Sequence, residues 1–437
     1  MTILAIVVAG IIVLMLLRVP VAFAFGAGGL AMIFLYGLDT GWIMPSTFAL
    51  FTSFPLLAVP LFVSLGLLME YSGAVGRLID FVNALVGRLK GGLGAVVVVS
   101  NGMFGAISGS AGAALVTFAT IMFPRLKEEG YDEGFSVSLI ASSAMLSLFI
   151  PPSMDMIMFG FVARISIAAC FLATIGPGLL LIILFSAINF VMIRKFPLKT
   201  RPKRSFSQTT RELGHYGKRA FFIFLLPVII LGGIYGGIFT PTEAAVVGVA
   251  ATLVITTLIY RSLTLSGLSK AVLRTATLTG MIMAVLFFMF VVGRILLWEN
   301  IVQAMIAFFS AVSKNLMIQL LMVNILLIII GMLIDDNSAC ILSGILLLPV
   351  MVKLGVNPYH FAGIVMSNLG LGLVTPPVAP MLYAASGVTG VPLKRFFRYS
   401  IYFMIFANIP VIFLATYIPE ICTFLPNLAF GTGLGRW

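Results

Sequence analysis

Two proline pairs, Pro151-Pro152 and Pro376-Pro377, lie inside apolar segments, and their chemistry follows from what proline lacks. Without an N–H, each proline deprives the carbonyl four residues earlier of its helical donor; here those carbonyls belong to Ser147, Leu148, Gly372 and Leu373. Bare carbonyl oxygens are ligands for a hard cation such as sodium. Thr375, just before the second pair, adds a hydroxyl, whereas Ile150 at the matching place offers its carbonyl alone. The same prolines would also serve as plain kinks in packed helices.

Small residues interrupt the apolar pattern at Ala106 to Gly112 and at Gly331 to Asn337. Ser108, Gly109, Ser110 and Gly112 in one, and Asn337 and Ser338 in the other, suit exposed N–H groups at the starts of half-helices, which attract anions. A carboxylate or sulfonate would be held there, with Ser142, Ser143, Ser367 and Asn368 on facing helices. Gly and Ser equally permit close helix packing. Asp155, Asp335 and Asp336 are costly at bilayer depth unless paired, solvated or functional. Asp335 and Asp336 suit a helix cap or a place near a cation, and Asp155 suits a helix end, with Arg164 and Arg294 as candidate partners. No nucleophile and base stand in a recognisable arrangement, so the chain is not read as an enzyme.

Of the 437 residues, 61% are hydrophobic and 9% charged, with a mean hydropathy of +1.18; soluble domains are nearer a quarter charged. Apolar runs recur throughout, as at Ile3 to Leu17, Leu179 to Ile193, Ala220 to Leu231 and Leu316 to Ile334, several long enough to cross a bilayer core of roughly 30 Å. Alternation of apolar and polar residues, expected of a membrane barrel, is missing, which predicts an all-α polytopic membrane protein of roughly ten to twelve spans or half-spans. The first run has no preceding charge and no cleavage-site pattern, so it is expected to be a retained helix, with the N-terminus outside the cytoplasm by the positive-inside rule.

The chain aligns with itself at an offset of 225, pairing Pro124 with Pro349, Gly130 with Gly355, Ser142 with Ser367, Met156 with Met381 and the two Pro-Pro pairs. Interrupted segments at matching places in two halves point to a transporter's binding site. Two re-entrant hairpins are therefore expected, over about 91–127 and 322–353, each followed by a Pro-Pro-broken helix. The expected division is scaffold helices in 1–90, a first transport half in 91–193, a basic cytoplasmic linker in 194–219, further scaffold helices in 220–310, and a second transport half with the C-terminal helix in 311–437.

Most of the +12 net charge is spread over short connections, densest in residues 194–219, with nine Lys or Arg against one Glu. Pro197 and Pro202 suggest an extended segment held near anionic lipid headgroups. No aromatic platform accompanies it, so nucleic acid is not an expected partner. Cys170, Cys340 and Cys422 are far apart in sequence, and His215 and His360 have no ligand-spaced neighbour, so neither a disulfide framework nor a transition-metal site is expected. Thr240-Pro-Thr-Glu243 reads as a capping box, and Gly232, Gly233, Gly236 and Gly237 have small-xxx-small spacing for close helix contact.

Six motifs, RVPVAFAFG (18–26), the VPLFVSLGLLME run ending at Glu70, GAISGSAGA (105–113), IPPSMDMIMFG (150–160), GGIFTPTEAA (236–245) and LGLVTPPVAPMLYAAS (371–386), occur in an order that resembles the large membrane subunit of tripartite ATP-independent periplasmic (TRAP) transporters. The resemblance covers nearly the whole chain. It implies two inverted repeats and an elevator mechanism in the bacterial inner membrane, in which a transport domain carries sodium and a small organic anion (carboxylate, sialate or sulfonate) past a scaffold. It also implies a small four-helix membrane subunit and a periplasmic substrate-binding protein. Carried onto matching positions, the sodium ligands would be Gly331, Gly372, Thr375 and Val378 in the second half. In the first half they would be Ala106, Ser147, Ile150 and Ser153, with Ser108 and Ser110. Substrate would meet Ser108, Gly109, Ser110, Ser143, Asp155, Asn337, Ser338 and Asn368. Asp155 departs from the family, which often has Pro there, as at its repeat mate Pro380; the Asp-Asp-Asn of the second tip is also not the commonest version. A stand-alone sodium/dicarboxylate elevator carrier shares hairpins and broken helices but lacks the TRAP motifs. A membrane-embedded enzyme would need clustered His, Asp or Arg, and a channel fits paired interruptions less well than alternating access.

Overall fold

The computed structural model describes residues 2–17, 19–87, 89, 91–198, 206–376 and 378–431. Those residues form helices and their connections, with no strand among them. In lipid each backbone amide must be satisfied internally, which a helix does within one segment. Among the described residues eight helices are long and apolar enough to cross a membrane, nine if the bent pair Glu133–Phe149 and Met154–Ala163, at 41°, counts as one span. Four shorter apolar helices accompany them.

The first half begins with α1 (Thr2–Leu16), α2 (Val21–Tyr36), α3 (Ile43–Phe51), α4 (Ala58–Tyr71) and α5 (Val75–Val86). A helical hairpin follows, α6 (Gly92–Ser108) and α7 (Ala111–Glu129), and then a helix in three pieces, α8 (Glu133–Ala144), α9 (Leu146–Phe149) and α10 (Met154–Ala163), before the long α11 (Ile167–Met192). The second half opens with α12 (Phe206–Tyr235), α13 (Pro241–Val254), α14 (Leu265–Trp298) and α15 (Ile301–Val312). Its hairpin is α16 (Leu316–Leu333) and α17 (Asp336–Leu342), the latter running through a wide turn into α18 (Leu348–Lys353). The broken helix is α19 (Pro358–Leu373) and α20 (Pro380–Thr389), followed by α21 (Leu393–Phe403), α22 (Ile409–Tyr417) and α23 (Glu420–Phe430).

Local chemistry sets many of these boundaries. Asp132 accepts from Phe135 N at 2.9 Å to start α8, and Asn357 accepts from Tyr359 N at 2.8 Å to start α19. Thr240 and Glu243 form the expected capping box, with Thr240 N donating to Glu243 Oε2 at 2.8 Å. The repeat mates Gly130 and Gly355 both end a hairpin in the left-handed region, at φ +96° and +92°, where a Cβ is strained.

Two sequence expectations need correction. Residues 206–219, expected to be extended, are the first turns of α12; beyond Pro202 no proline intervenes until Pro227, and Gln, Arg, Glu, Leu and Lys favour helix. Residues 199–205 of that basic segment, and Arg18, lie outside the described residues. The Gly232 to Gly237 cluster makes no helix–helix seam. The helix ends at Tyr235, Gly237 takes φ +69° beyond it, and a Cβ on Gly232 would meet nothing within 4 Å.

Packing divides the helices into two groups. α1, α2, α4, α12, α13 and α14 form one group, α5 lies between α12 of that group and α6 of the first hairpin, and the hairpins and broken helices pack together with α11, α22 and α23. Within the second group the halves interlock. α10 lies on α17 of the other half's hairpin, and α20 lies on α7 of the first. Ser138 Oγ and Ser400 Oγ meet at 2.9 Å across the halves, and Glu133 binds both Lys127 and Arg395 at 2.7 Å. Cys170, Cys340 and Cys422 are buried and unbridged.

Candidate functional site

In the first half the hairpin tip rests on the broken helix, backbone against backbone. α6 stops at Ser108, Gly109 turns at φ +57°, and Ser110 caps α7 by accepting from Ala113 N at 3.4 Å. The facing helix breaks between Phe149 and Met154, and Met154 N donates to Gly109 O at 3.4 Å. A Cβ on Gly105 would stand 2.5 Å from Ser147 Cα, and one on Gly109 would run into the Pro152 carbonyl oxygen. Ala106, Ser108, Ser147 and Ser153 are buried beside this contact, and Ile150 is partly buried. The hydroxyls of Ser108 and Ser153 have no hydrogen-bond partner among the described residues, although Ser153 stands where it would cap α10.

The second half repeats the contact between α16 and α19. Gly331 and Gly372 face each other so closely that a Cβ on Gly372 would stand 2.6 Å from Gly331 Cα and 2.7 Å from its carbonyl oxygen. Thr375 Oγ1 donates to Leu371 O at 2.6 Å, and Thr375 N donates to Gly372 O at 3.0 Å. Gly372 O is therefore not left bare by Pro376, as the sequence predicts, because α19 ends in a tight turn whose preceding residue supplies the N–H. A carbonyl has two lone pairs, so one acceptor direction remains there. Val378 is 39% exposed and Thr375 and Pro376 are partly exposed, so this break is more open than the first, where Pro151, Pro152 and Ser153 are buried. Pro377 lies outside the described residues.

The second tip is organised by its acids. Asp335 caps α17, accepting from Ser338 N at 3.1 Å and from Ser338 Oγ at 2.5 Å, and Asn337 Nδ2 reaches Asp336 Oδ1 at 3.4 Å. Asp155, in the first turn of α10, is 1% exposed and within electrostatic range of Asp335 and Asp336, because α10 packs on α17. Neither expected arginine pairs with these acids among the described residues. Arg164 ends α10 at the pole opposite Asp155, and the Arg294 guanidinium lies 5.7 Å from the Trp298 ring centre. The site thus joins serine and glycine backbone at tip one to carboxylates at tip two, around the first break.

Ser143 and Asn368 lie one turn further from the breaks and are fully buried. Asn101 Nδ2 donates to Ser143 Oγ at 2.8 Å, and Asn368 Nδ2 donates to Asn324 Oδ1 at 2.8 Å. Ser367 Oγ turns back onto Gly363 O of its own helix at 2.8 Å. Asn101, Asn324 and Thr416 escape the sequence reading. The available signal was an amide isolated in each apolar helix, VVVVSNGMFG and LMVNILLIII, where an unpartnered polar side chain would be costly.

Comparison with known proteins agrees with this architecture. Residues 8–421 match the family described as "Tripartite ATP-independent periplasmic transporter, DctM component". The chain is 32% identical over 374 residues to the C4-dicarboxylate TRAP transporter large permease protein of Pseudomonas aeruginosa, covering 86% of each. It is also 32% identical over 385 residues to the sialic acid TRAP transporter large permease protein of Vibrio cholerae, covering 87% of this chain and 88% of that one. The crystal structure of the Alcanivorax borkumensis YdaH transporter shares the fold at a TM-score of 0.61 over 91% of both chains, with 15% identity. The chain belongs to the DctM family, the large membrane components of tripartite ATP-independent periplasmic transporters.

Proposed function

We propose that this subunit imports a small organic anion across the bacterial inner membrane, driven by sodium, with substrate delivered by a periplasmic binding protein and the complex completed by a small membrane subunit. The observation that carries this reading is the paired approach of hairpin and broken helix, Gly105 on Ser147 and Gly331 on Gly372. Backbone so close that no side chain fits leaves carbonyl oxygens of two elements free to surround one dehydrated cation, which is how broken helices bind sodium in membrane carriers.

One sodium site draws on Ala106, Ser147, Ile150 and Ser153, with Ser108 and Ser110, and the other on Gly331, Gly372, Thr375 and Val378. Substrate sits between the tips, its acid group toward the N–H groups and hydroxyls of Ser108, Gly109 and Ser110 and the rest toward Asp155, Asn337 and Ser338, backed by Ser143 and Asn368. Filled sodium sites hold both tips against their helices and so preorganise the anion's donors, coupling the two ligands. The hairpins, broken helices and α11 form the moving body of an elevator, and α1, α2, α4, α5 and α12–α14 form its scaffold. The two relatives act on dicarboxylate and sialic acid, and sulfonate shares the same anionic oxygens.

The test is uptake into proteoliposomes holding this chain and its small partner subunit, with labelled C4-dicarboxylate, sialate and sulfonate. Uptake should require both an inward sodium gradient and the binding protein. Uptake without the binding protein would replace this reading with a stand-alone carrier, and uptake indifferent to sodium would remove the coupling ion.

A further inference from the structure

Each half contains a buried amide clamp between the first arm of its hairpin and its broken helix. In the first half Asn101 Nδ2 donates to Ser143 Oγ at 2.8 Å, and that hydroxyl donates to Ile140 O at 3.2 Å. In the second half Asn368 Nδ2 donates to Asn324 Oδ1 and to Ile364 O, both at 2.8 Å, and Asn324 Nδ2 donates to Thr416 Oγ1 at 3.0 Å. These partners fix which way each amide points. Ile364 O only accepts, and Ser143 has committed its hydrogen to Ile140, so both asparagines present Nδ2 to the clamp. The Oδ1 atoms of Asn101 and Asn368 are left buried with no partner among the described residues, and both side chains are 0% exposed. A buried amide whose oxygen finds no protein partner packs less favourably than an apolar side chain of the same size, so packing alone gives no reason for it.

The placement of the clamps supplies that reason. Ser143 and Asn368 are repeat mates at the offset of 225, although one is a hydroxyl and the other an amide. Each stands four residues, about one helical turn, before the residue whose backbone meets the hairpin, Ser147 in one half and Gly372 in the other. A site made of backbone carbonyls has no rotamers with which to adjust. Its oxygen separations are set by the register between two helices, and preorganised sites need that register held to about 0.5 Å.

We propose that Asn101 and Asn368 are positioning residues for sodium. Each locks the hairpin's first arm to the broken helix near the Gly105–Ser147 or Gly331–Gly372 contact, one turn away along the broken helix in both halves, and one turn (Asn101) or about two turns (Asn324) away along the hairpin arm, so that the carbonyls there stay at cation distance. The inference rests on the reading that these contacts hold sodium. It assigns sodium affinity to two amides that do not touch the ion.

The test uses the purified full chain and sodium alone as probe. Thermal melting is followed while sodium chloride replaces choline chloride, giving a midpoint without sodium and a half-effect sodium concentration for each variant. Asn368→Leu and Asn101→Leu should each raise the half-effect concentration by about tenfold or more, the scale of one lost buried hydrogen bond. Asn368→Ser, which restores the Asn–Ser pair of the first half, should stay within about threefold of wild type. A merely structural role would lower the sodium-free midpoint of the Leu variants and leave the half-effect concentration unchanged, and that result overturns the proposal. If a Leu variant does not fold, Thr416→Val loosens the second clamp from outside and should give a smaller rise; no rise would count against it. A wild type that melts identically in sodium and choline would overturn the sodium reading together with this inference, whereas a responsive wild type with unresponsive variants overturns this inference alone.

Discussion

Gly331 and Gly372 touch backbone to backbone, with no space for a Cβ on Gly372: one built there would stand 2.7 Å from the Gly331 carbonyl oxygen, whereas one on Gly331 would be tight, at 3.3 Å from Gly372 Cα. Gly372→Ala should therefore push α16 off α19. Overpacking of a tight contact costs about 1–3 kcal/mol, so thermal unfolding of the purified subunit should shift down measurably. Gly232→Ala is the control. A Cβ there meets nothing within 4 Å, and the change should be neutral or stabilising by up to about 1 kcal/mol. Equal melting of the two variants would mean that the glycine contact is looser than described.

Thr375 separates hydroxyl from carbonyl contributions. Its Oγ1 donates to Leu371 O at 2.6 Å and keeps its lone pairs for a cation. Thr375→Val should weaken sodium-dependent uptake by about tenfold in half-saturating sodium, and Thr375→Ser should leave it near wild type. Val378→Ala, where only the carbonyl is at issue, should change little. A Val variant with unaltered sodium dependence would remove the hydroxyl from the site.

Asp155 places a buried carboxyl beside the proposed anion path, within electrostatic range of Asp335 and Asp336. Asp155→Asn leaves no carboxyl there that can ionise, so binding of dianionic candidates should improve relative to monoanionic ones in a competition assay, by at most about tenfold, the Coulomb effect of one full charge at such a site. An unchanged order of preference would place Asp155 away from substrate.

The Lys127–Glu133–Arg395 cluster joins the two halves at 2.7 Å on each side, but its basic side chains are more than half exposed, at 62% and 53%. Exposed ion pairs contribute little, so Glu133→Gln should cost less than about 1 kcal/mol, and the loss should shrink in high salt. A larger, salt-insensitive loss would show that the cluster carries the junction between halves.

The breaks and tips were legible because proline and glycine act locally. Pro151-Pro152 interrupts its helix whatever packs on it, and Gly130 and Gly355 adopt the conformation that only glycine takes cheaply. Two other sequence signals were ambiguous. The spacing of Gly232 and Gly236 fits a helix seam or a helix end, and only the chain's exit after Tyr235 decides between them. In the basic run after Ile193 the prolines suggest an extended segment, although its later residues favour helix. What the sequence did not reveal is long-range pairing. Nothing in VVVVSNGMFG says that Asn101 meets Ser143, or that α10 lies on the opposite hairpin beside Asp335. Such contacts depend on how the two halves interlock, which no local pattern encodes.

Whether the paired backbone contacts hold sodium can be read from calorimetric titration of sodium into the purified subunit, with potassium as the control ion. Saturable sodium binding at two sites is expected, with no response to potassium and with loss of one site in Gly372→Ala while the other persists. Absence of sodium binding in the wild type, or two intact sites in Gly372→Ala, would contradict it.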